Sequence, residues 1–293
     1  MDVLNPSPAI CVPQTMWLTY RVIVEHPDLS QSQITDFVTP ESMRQRTPSN
    51  GAHATRALTA LREFGLVRVS DDGLYQADRL ADSATFLRTL RYRLLAPPET
   101  FGTDFEGAPS LRLGLIWLMR QAPFLPLDWG HVQTTNRTQL FTNDTRFNAF
   151  RPWSIALGMG MPALTAMVEG AKQKTTGEKV VPDPTQAVID VILHPHTDQI
   201  PRGEQISIQR LLDFLRAELP VLPGHPSATY DGMQDDPDNG LRALGLALTS
   251  AEARGVLTMT YQSDPSGVIA LPDAQDAGHD RYVSAVTIKQ ASR

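Results

Sequence analysis

Asn50, His53, Arg56, Thr59 and Arg62 recur at helical spacing on one side of the stretch after Thr47-Pro48, while Ala54, Ala57, Leu58, Leu61 and Phe64 fall on the other. A polar face of this kind has the chemistry of nucleic-acid recognition. Asparagine can pair the N6/N7 edge of adenine and arginine the O6/N7 edge of guanine, while Arg, Ser and Thr hold phosphates. Arg44, Arg46 and Arg68 flank the same stretch, so residues 41–68 carry five Arg against Glu41 and Glu63. The candidate site is therefore Arg44, Arg46, Asn50, His53, Arg56, Arg62 and Arg68. A merely solvated helix face has a similar composition, and Asp71-Asp72 just beyond would repel phosphate.

The elements that must position these residues are legible around them. Pro13 opens a first helix whose apolar face is Met16, Tyr20 and Ile23, ending near His26-Pro27. Ser30-x-x-Gln33 is a capping box ahead of Ile34, Phe37 and Val38, which predicts a short supporting helix. Thr47-Pro48 supplies an N-cap and N1 proline for the third helix, and Gly65 stops it. Leu66–Val69, Ser70-Asp71-Asp72-Gly73 and Leu74–Gln76 then read as strand, tight turn and strand. Three helices and a hairpin in this order are the winged helix-turn-helix pattern. A further amphipathic helix runs from Asp82 to Leu95.

The rest of the chain is expected to repeat that grammar. Ser110–Gln121 and Asp144–Gly158 read as helices, the second with a break or restart at Pro152, and Ala163–Val168 can pair with Glu178–Val181. Asp183-Pro184 opens a helix through Ile192, Ser207–Leu219 forms a second, and Gly240–Ala253 a third that enters strands at 255–261 and 268–271. Ala57-Leu58…Gly65-Leu66-Val67 matches Ala247-Leu248…Gly255-Val256-Leu257 at identical spacing, a weak internal repeat. The predicted fold is α+β, predominantly α, with tandem winged helix-turn-helix modules and a helical middle region. Its domains are 1–96, 108–182 (a possible degenerate third copy) and 183–293, and 1–96 is expected to fold by itself.

Charge narrows the function further. The 293 residues carry a net charge of −6, which argues against coating nucleic acid through bulk charge, so any DNA contact must be local. Residues 1–96 balance ten Arg with ten acids, whereas 171–293 hold eleven basic residues against sixteen acidic ones. The third helix near the C-terminus shows only Arg242. Double-stranded DNA is thus the expected partner of the N-terminal module, and other proteins that of the C-terminal one. Apolar stretches such as Leu113–Met119 are too short to span a bilayer, and no leader-like segment opens the chain. A soluble, cytoplasmic protein is expected.

Several constellations point away from catalysis. Cys11 is the single cysteine, which excludes an internal disulfide and multi-cysteine metal sites, and it reads as a small buried hydrophobe. His194-Pro195-His196 reads as a helix-terminal turn rather than a zinc site, and Asp231, Asp235, Asp236 and Asp238 as a solvated acidic loop. Arg146-Phe147-Asn148-Ala149-Phe150-Arg151-Pro152-Trp153 mixes basic and aromatic residues as a base-stacking surface does, yet its helical spacing favours a core. No phosphate loop, nucleophile elbow, dinucleotide fingerprint or HExxH occurs. The expectation is a non-enzymatic protein with no cofactor and no metal.

Short segments spread along the chain resemble the DpdG-type proteins of bacterial 7-deazaguanine DNA-modification and defence clusters. They are Val3-Leu4-Asn5-Pro6, the 146–153 run leading to Leu157-Gly158, Val181-Pro182-Asp183-Pro184-Thr185, Leu219-Pro220-Val221-Leu222, and Ala247-Leu248 before Gly255-Val256-Leu257. The resemblance implies a component of a multi-gene system that installs deazapurines or restricts DNA lacking them, distinct from the base-exchange enzyme. It implies no catalytic residues. Val221–His225 and Leu248–Glu252 depart from the acidic, glycine-rich turn and the basic third helix associated with that family, which counts against DNA contact by the C-terminal module. The alternatives are a dimeric winged-helix transcription regulator and a scaffold that binds proteins alone.

Overall fold

The computed structural model describes residues 1–44, 51–102, 104–135, 140–164, 179–197, 199–230, 233, 237–262, 267–272 and 279–290. It is a mostly helical α+β protein of two compact units. Met1–Gly114 joins Gln139–Leu157 in the first, and Leu115–Thr138 joins Gly158–Arg293 in the second. The stretch 108–182, expected as a middle domain, is thereby shared between the two.

In the first unit, α1 (Pro13–Glu25), α2 (Gln31–Val38), α3 (Glu41–Arg44) and α4 (Ala52–Glu63) precede a two-stranded hairpin, β1 (Arg68–Val69) and β2 (Tyr75–Gln76). The core forms because α1 turns Met16, Tyr20 and Ile23 toward Ala54, Ala57, Leu58 and Leu61 of α4, all of them buried. The Ser30 capping box is made in both directions, with Ser30 N–H donating to Gln33 Oε1 at 2.9 Å and Gln33 N–H to Ser30 Oγ at 3.5 Å. The expected Thr47-Pro48 cap lies outside the described residues, and α4 begins at Ala52 with Gly51 as its N-cap. In the hairpin Arg68 faces Gln76 and Val69 faces Tyr75.

Next, α5 (Ser83–Leu95) starts where Asp82 accepts the Thr85 N–H at 2.7 Å. A 3-10 turn at Pro98–Phe101 leads to α6 (Pro109–Leu118), within which the chain leaves the first unit. It returns for α8 (Asp144–Ala156), after α7 (Trp129–Thr135) of the second unit. Pro152 does not break α8. Phe147, Phe150 and Trp153 are fully buried, and the Trp153 indole N–H donates to the Cys11 carbonyl at 2.8 Å. The aromatic-basic run is core, as its spacing favours.

In the second unit β3 (Gly160–Pro162) pairs with β4 (Val180–Pro182), so the pairing starts three residues earlier than the expected Ala163. Leu127 bridges to Val180, which adds backbone hydrogen bonds beyond the two-strand ladder. Then come α9 (Thr185–Leu193), β5 (Gln205–Ser207), α10 (Ile208–Glu218), α11 (Pro237–Ala253), β6 (Leu257–Thr260), β7 (Ile269–Pro272), β8 (Asp280–Val283) and β9 (Ala285–Ile288). The sheet order is β5-β9-β6, all antiparallel, with β7 and β8 forming a separate hairpin. A mixed row of small and large apolar residues, 243–248, makes α11 buried over that whole stretch, packed on α9 and β7. A helix apolar all round has to be enclosed.

The internal repeat has a shared geometry. After α4, Gly65 takes φ +67°, its N–H bonds to the Arg62 carbonyl at 2.9 Å, and Leu66 N–H bonds to the Leu61 carbonyl at 2.9 Å. After α11, Gly255 takes φ +74°, its N–H bonds to Glu252 at 2.8 Å, and Val256 N–H bonds to Ala251 at 2.9 Å. Both are Schellman motifs, in which a glycine in the left-handed region lets two orphan helix carbonyls be satisfied as the chain turns into a strand.

Candidate nucleic-acid interface

The outer side of α4 carries Thr55 and Arg62 exposed and Thr59 half-buried, while its inner side is closed against α1. Two further polar residues of that face, His53 and Arg56, meet the chain's own first ten residues. His53 Nδ1 donates to the Ile10 carbonyl at 3.0 Å. Arg56 donates from Nη1 to the Ser7 carbonyl and from Nη2 to the Asp2 carbonyl, the latter at 2.9 Å. Asp2 in turn accepts from Arg146 of α8 through both carboxylate oxygens, at 2.8 and 3.2 Å. Buried Val3, Leu4, Ala9 and Cys11 anchor this segment on either side of exposed Asn5, Ser7 and Pro8. Burial pushes the Cys11 thiol up to about 12 against the pull of Arg56, so it is an inert hydrophobe at neutral pH.

The other candidate residues are dispersed. Arg44 is paired with Asp36 at 2.7 Å and lies across Gly51 at the start of α4. Arg68 on β1 is 72% exposed and meets Asp78 at 3.1 Å, an open surface pair that fixes little. Arg62 projects from the last turn of α4 into solvent. Arg46 and Asn50 lie outside the described residues. At the hairpin tip Asp71 and Asp72 are exposed. Among the described candidates, Arg62 and Arg68 are thus the cations offered outward, whereas Arg56 and His53 are spent on backbone carbonyls of 2–10. Sequence reasoning missed that segment; its signal was an apolar Val3-Leu4 pair set among prolines.

In the second unit the equivalent helix, α11, turns no face outward over 243–248, and Glu252 ties it to the β7–β8 hairpin. Glu252 accepts from Arg281 through both oxygens and from Met259 N–H at 2.7 Å, and Arg281 also donates to the Met259 carbonyl at 3.1 Å. Burial works to raise the Glu252 carboxyl, but the Arg281 hydrogen bond, the Met259 N–H and the charges of Arg281 and Lys289 outweigh it and lower the carboxyl. His194 caps α9, and buried Glu218 accepts from the His196 and Thr197 N–H groups. Of the acidic loop, Asp231, Asp235 and Asp236 lie outside the described residues.

Among the described residues no group of three His, Cys, Asp or Glu side chains is placed to hold a metal, and no helix is long and apolar enough to cross a membrane. Fold and site together define a mostly helical α+β protein whose polar helix face is held by its own backbone. The chain belongs to the DpdG-like family, which matches residues 1–265, and is thus a component of Dpd DNA-modification systems. No curated protein and no solved structure matches it.

Proposed function

We propose that this chain is a non-enzymatic scaffold of a Dpd system, built from two winged-helix modules. The first touches duplex DNA along one edge, and the second binds partner proteins. The fold reading rests on the order α9, β5, α10, α11, β6, hairpin, β9, with the first strand paired beside the last, which is the arrangement of a winged helix. The Schellman junction shared by α4 and α11 extends it to the first unit, where α1, α2, α4 and the β1–β2 hairpin follow in the same order.

The observation that carries the DNA reading is the division of labour on α4. Arg56 and His53 bond the chain's own carbonyls, while Arg62 in the last turn of α4 and Arg68 on β1 stay exposed. Such an edge meets phosphates and reads no bases, so binding would be weak, salt-dependent and indifferent to sequence. Because 243–248 are buried within their own unit, α11 offers no polar face to a DNA groove over that stretch, which leaves partner proteins as the reading for the second module. The test is a salt titration of duplex binding by wild type, R62A and R68A. A protein with no salt-dependent affinity for DNA would leave the protein-only scaffold.

A further inference from the structure

The segment that occupies Arg56 is held in an unusual way. Between the buried anchors Leu4 and Ala9, residues Asn5–Pro8 arch over the start of α4 with their own side chains facing outward or half-buried. The segment is held partly from within, by Leu4 N–H on Asp2 Oδ1 and Ser7 N–H on Asn5 Oδ1, and partly from outside: Arg56 and His53 reach main-chain carbonyls, Arg146 grips the Asp2 carboxylate just before the first anchor, and the Met1 ammonium meets the Gly107 carbonyl and Glu63. Nor is the arch sealed against the helix, since a cleft of about 450 Å³ opens between Asn5 and Pro8 on one side and Ala52, Thr55 and Thr59 on the other. Buried anchors with a loosely seated span between them let the span lift while the core stays intact.

We propose that Asn5–Pro8 form an autoinhibitory arch, hinged on buried Leu4 and Ala9 and steadied by the Asp2–Arg146 pair ahead of the first hinge, which masks the base- and phosphate-seeking side chain of Arg56. The inference rests on the DNA-contact reading above. In the closed arrangement only the Arg62–Arg68 edge meets DNA. Release of Asp2 lets the arch lift from α4, and the Arg56 guanidinium exchanges two backbone carbonyls for a phosphate.

The experiment compares the full-length wild type with D2N, D2N/R56Q and the charge-matched control D280N in the second unit, using hydrogen exchange over residues 2–10 and the salt dependence of duplex binding. D2N is expected to speed exchange in the arch and to steepen the log K against log salt slope by about one relative to D280N, since one more phosphate is neutralised. D2N/R56Q should return to the D280N slope. Unchanged exchange in D2N would overturn the proposal, because Asp2 would not be the fastener. Faster exchange with a slope equal to that of D280N would overturn it too, because Arg56 would not be masked. Absence of any salt-dependent binding by wild type sinks the edge reading instead, and an Arg56-dependent gain in D2N would then still be measurable.

Discussion

Arg56 on α4 donates from Nη2 to the main-chain carbonyl of Asp2 at 2.9 Å, across 54 residues of sequence. With its second bond, to Ser7, this makes Arg56 a clasp for the first residues of the chain. Replacing it with Ala should therefore destabilise the fold by about 1–2 kcal/mol, the worth of partly exposed charge-assisted hydrogen bonds. Urea unfolding measures this. A stability equal to wild type would show that the clasp carries no weight.

Trp153 serves the same unit from α8. W153F leaves the buried Cys11 carbonyl without its donor and opens a void where the second ring of the indole stood, which together should cost at least about 1–3 kcal/mol. For the same reason residues 1–96, which lack α8, should unfold with less cooperativity than the whole chain. Cooperative unfolding of 1–96 at wild-type stability would contradict this.

The paired junctions give a matched test. Gly65 and Gly255 both adopt positive φ, so G65A and G255A should each lose about 1–2 kcal/mol. A Cβ at Gly65 would also approach Arg93 Nη1 at 3.2 Å, whereas at Gly255 the nearest atom is 3.8 Å away. G65A should be the worse of the two. Equal tolerance of both changes in thermal unfolding would deny that the glycines are required.

Glu252 makes the second unit sensitive to acid. Its carboxyl is lowered in the folded protein from an ordinary value of 4.5, so its contribution is present above 4.5 and is lost as pH falls through the folded value. R281A removes the main cause of the lowering. The variant should be less stable than wild type at neutral pH, with the difference shrinking below pH 4.5. A gap between the two that is independent of pH would rule out the carboxylate as its origin.

Helices were legible where apolar spacing and caps agreed. Met16, Tyr20 and Ile23 marked α1, Ser30 and Gln33 marked α2, and Ser207 marked α10. Gly73 in the β1–β2 turn and the Gly65 and Gly255 stops were readable from residue type alone. Strands β5, β8 and β9 were not, because three- and four-residue strands present too short a pattern, and the place of β9 between β5 and β6 depends on pairing across about 80 residues. The candidate site was legible in its residue types but not in its partners. Nothing local in the sequence couples Arg56 to Asp2 or Ser7, since a backbone carbonyl offers no signature of its own.

The most direct measurement of the central claim is the slope of log K against log salt for duplex DNA, taken for wild type, R62A, R68A and R56A on two unrelated sequences. The account predicts the same affinity on both sequences, a slope reduced by about one in R62A and in R68A, and a wild-type slope in R56A. A wild type without salt-dependent binding, or an R56A variant that remains folded yet loses affinity on one sequence only, would contradict it.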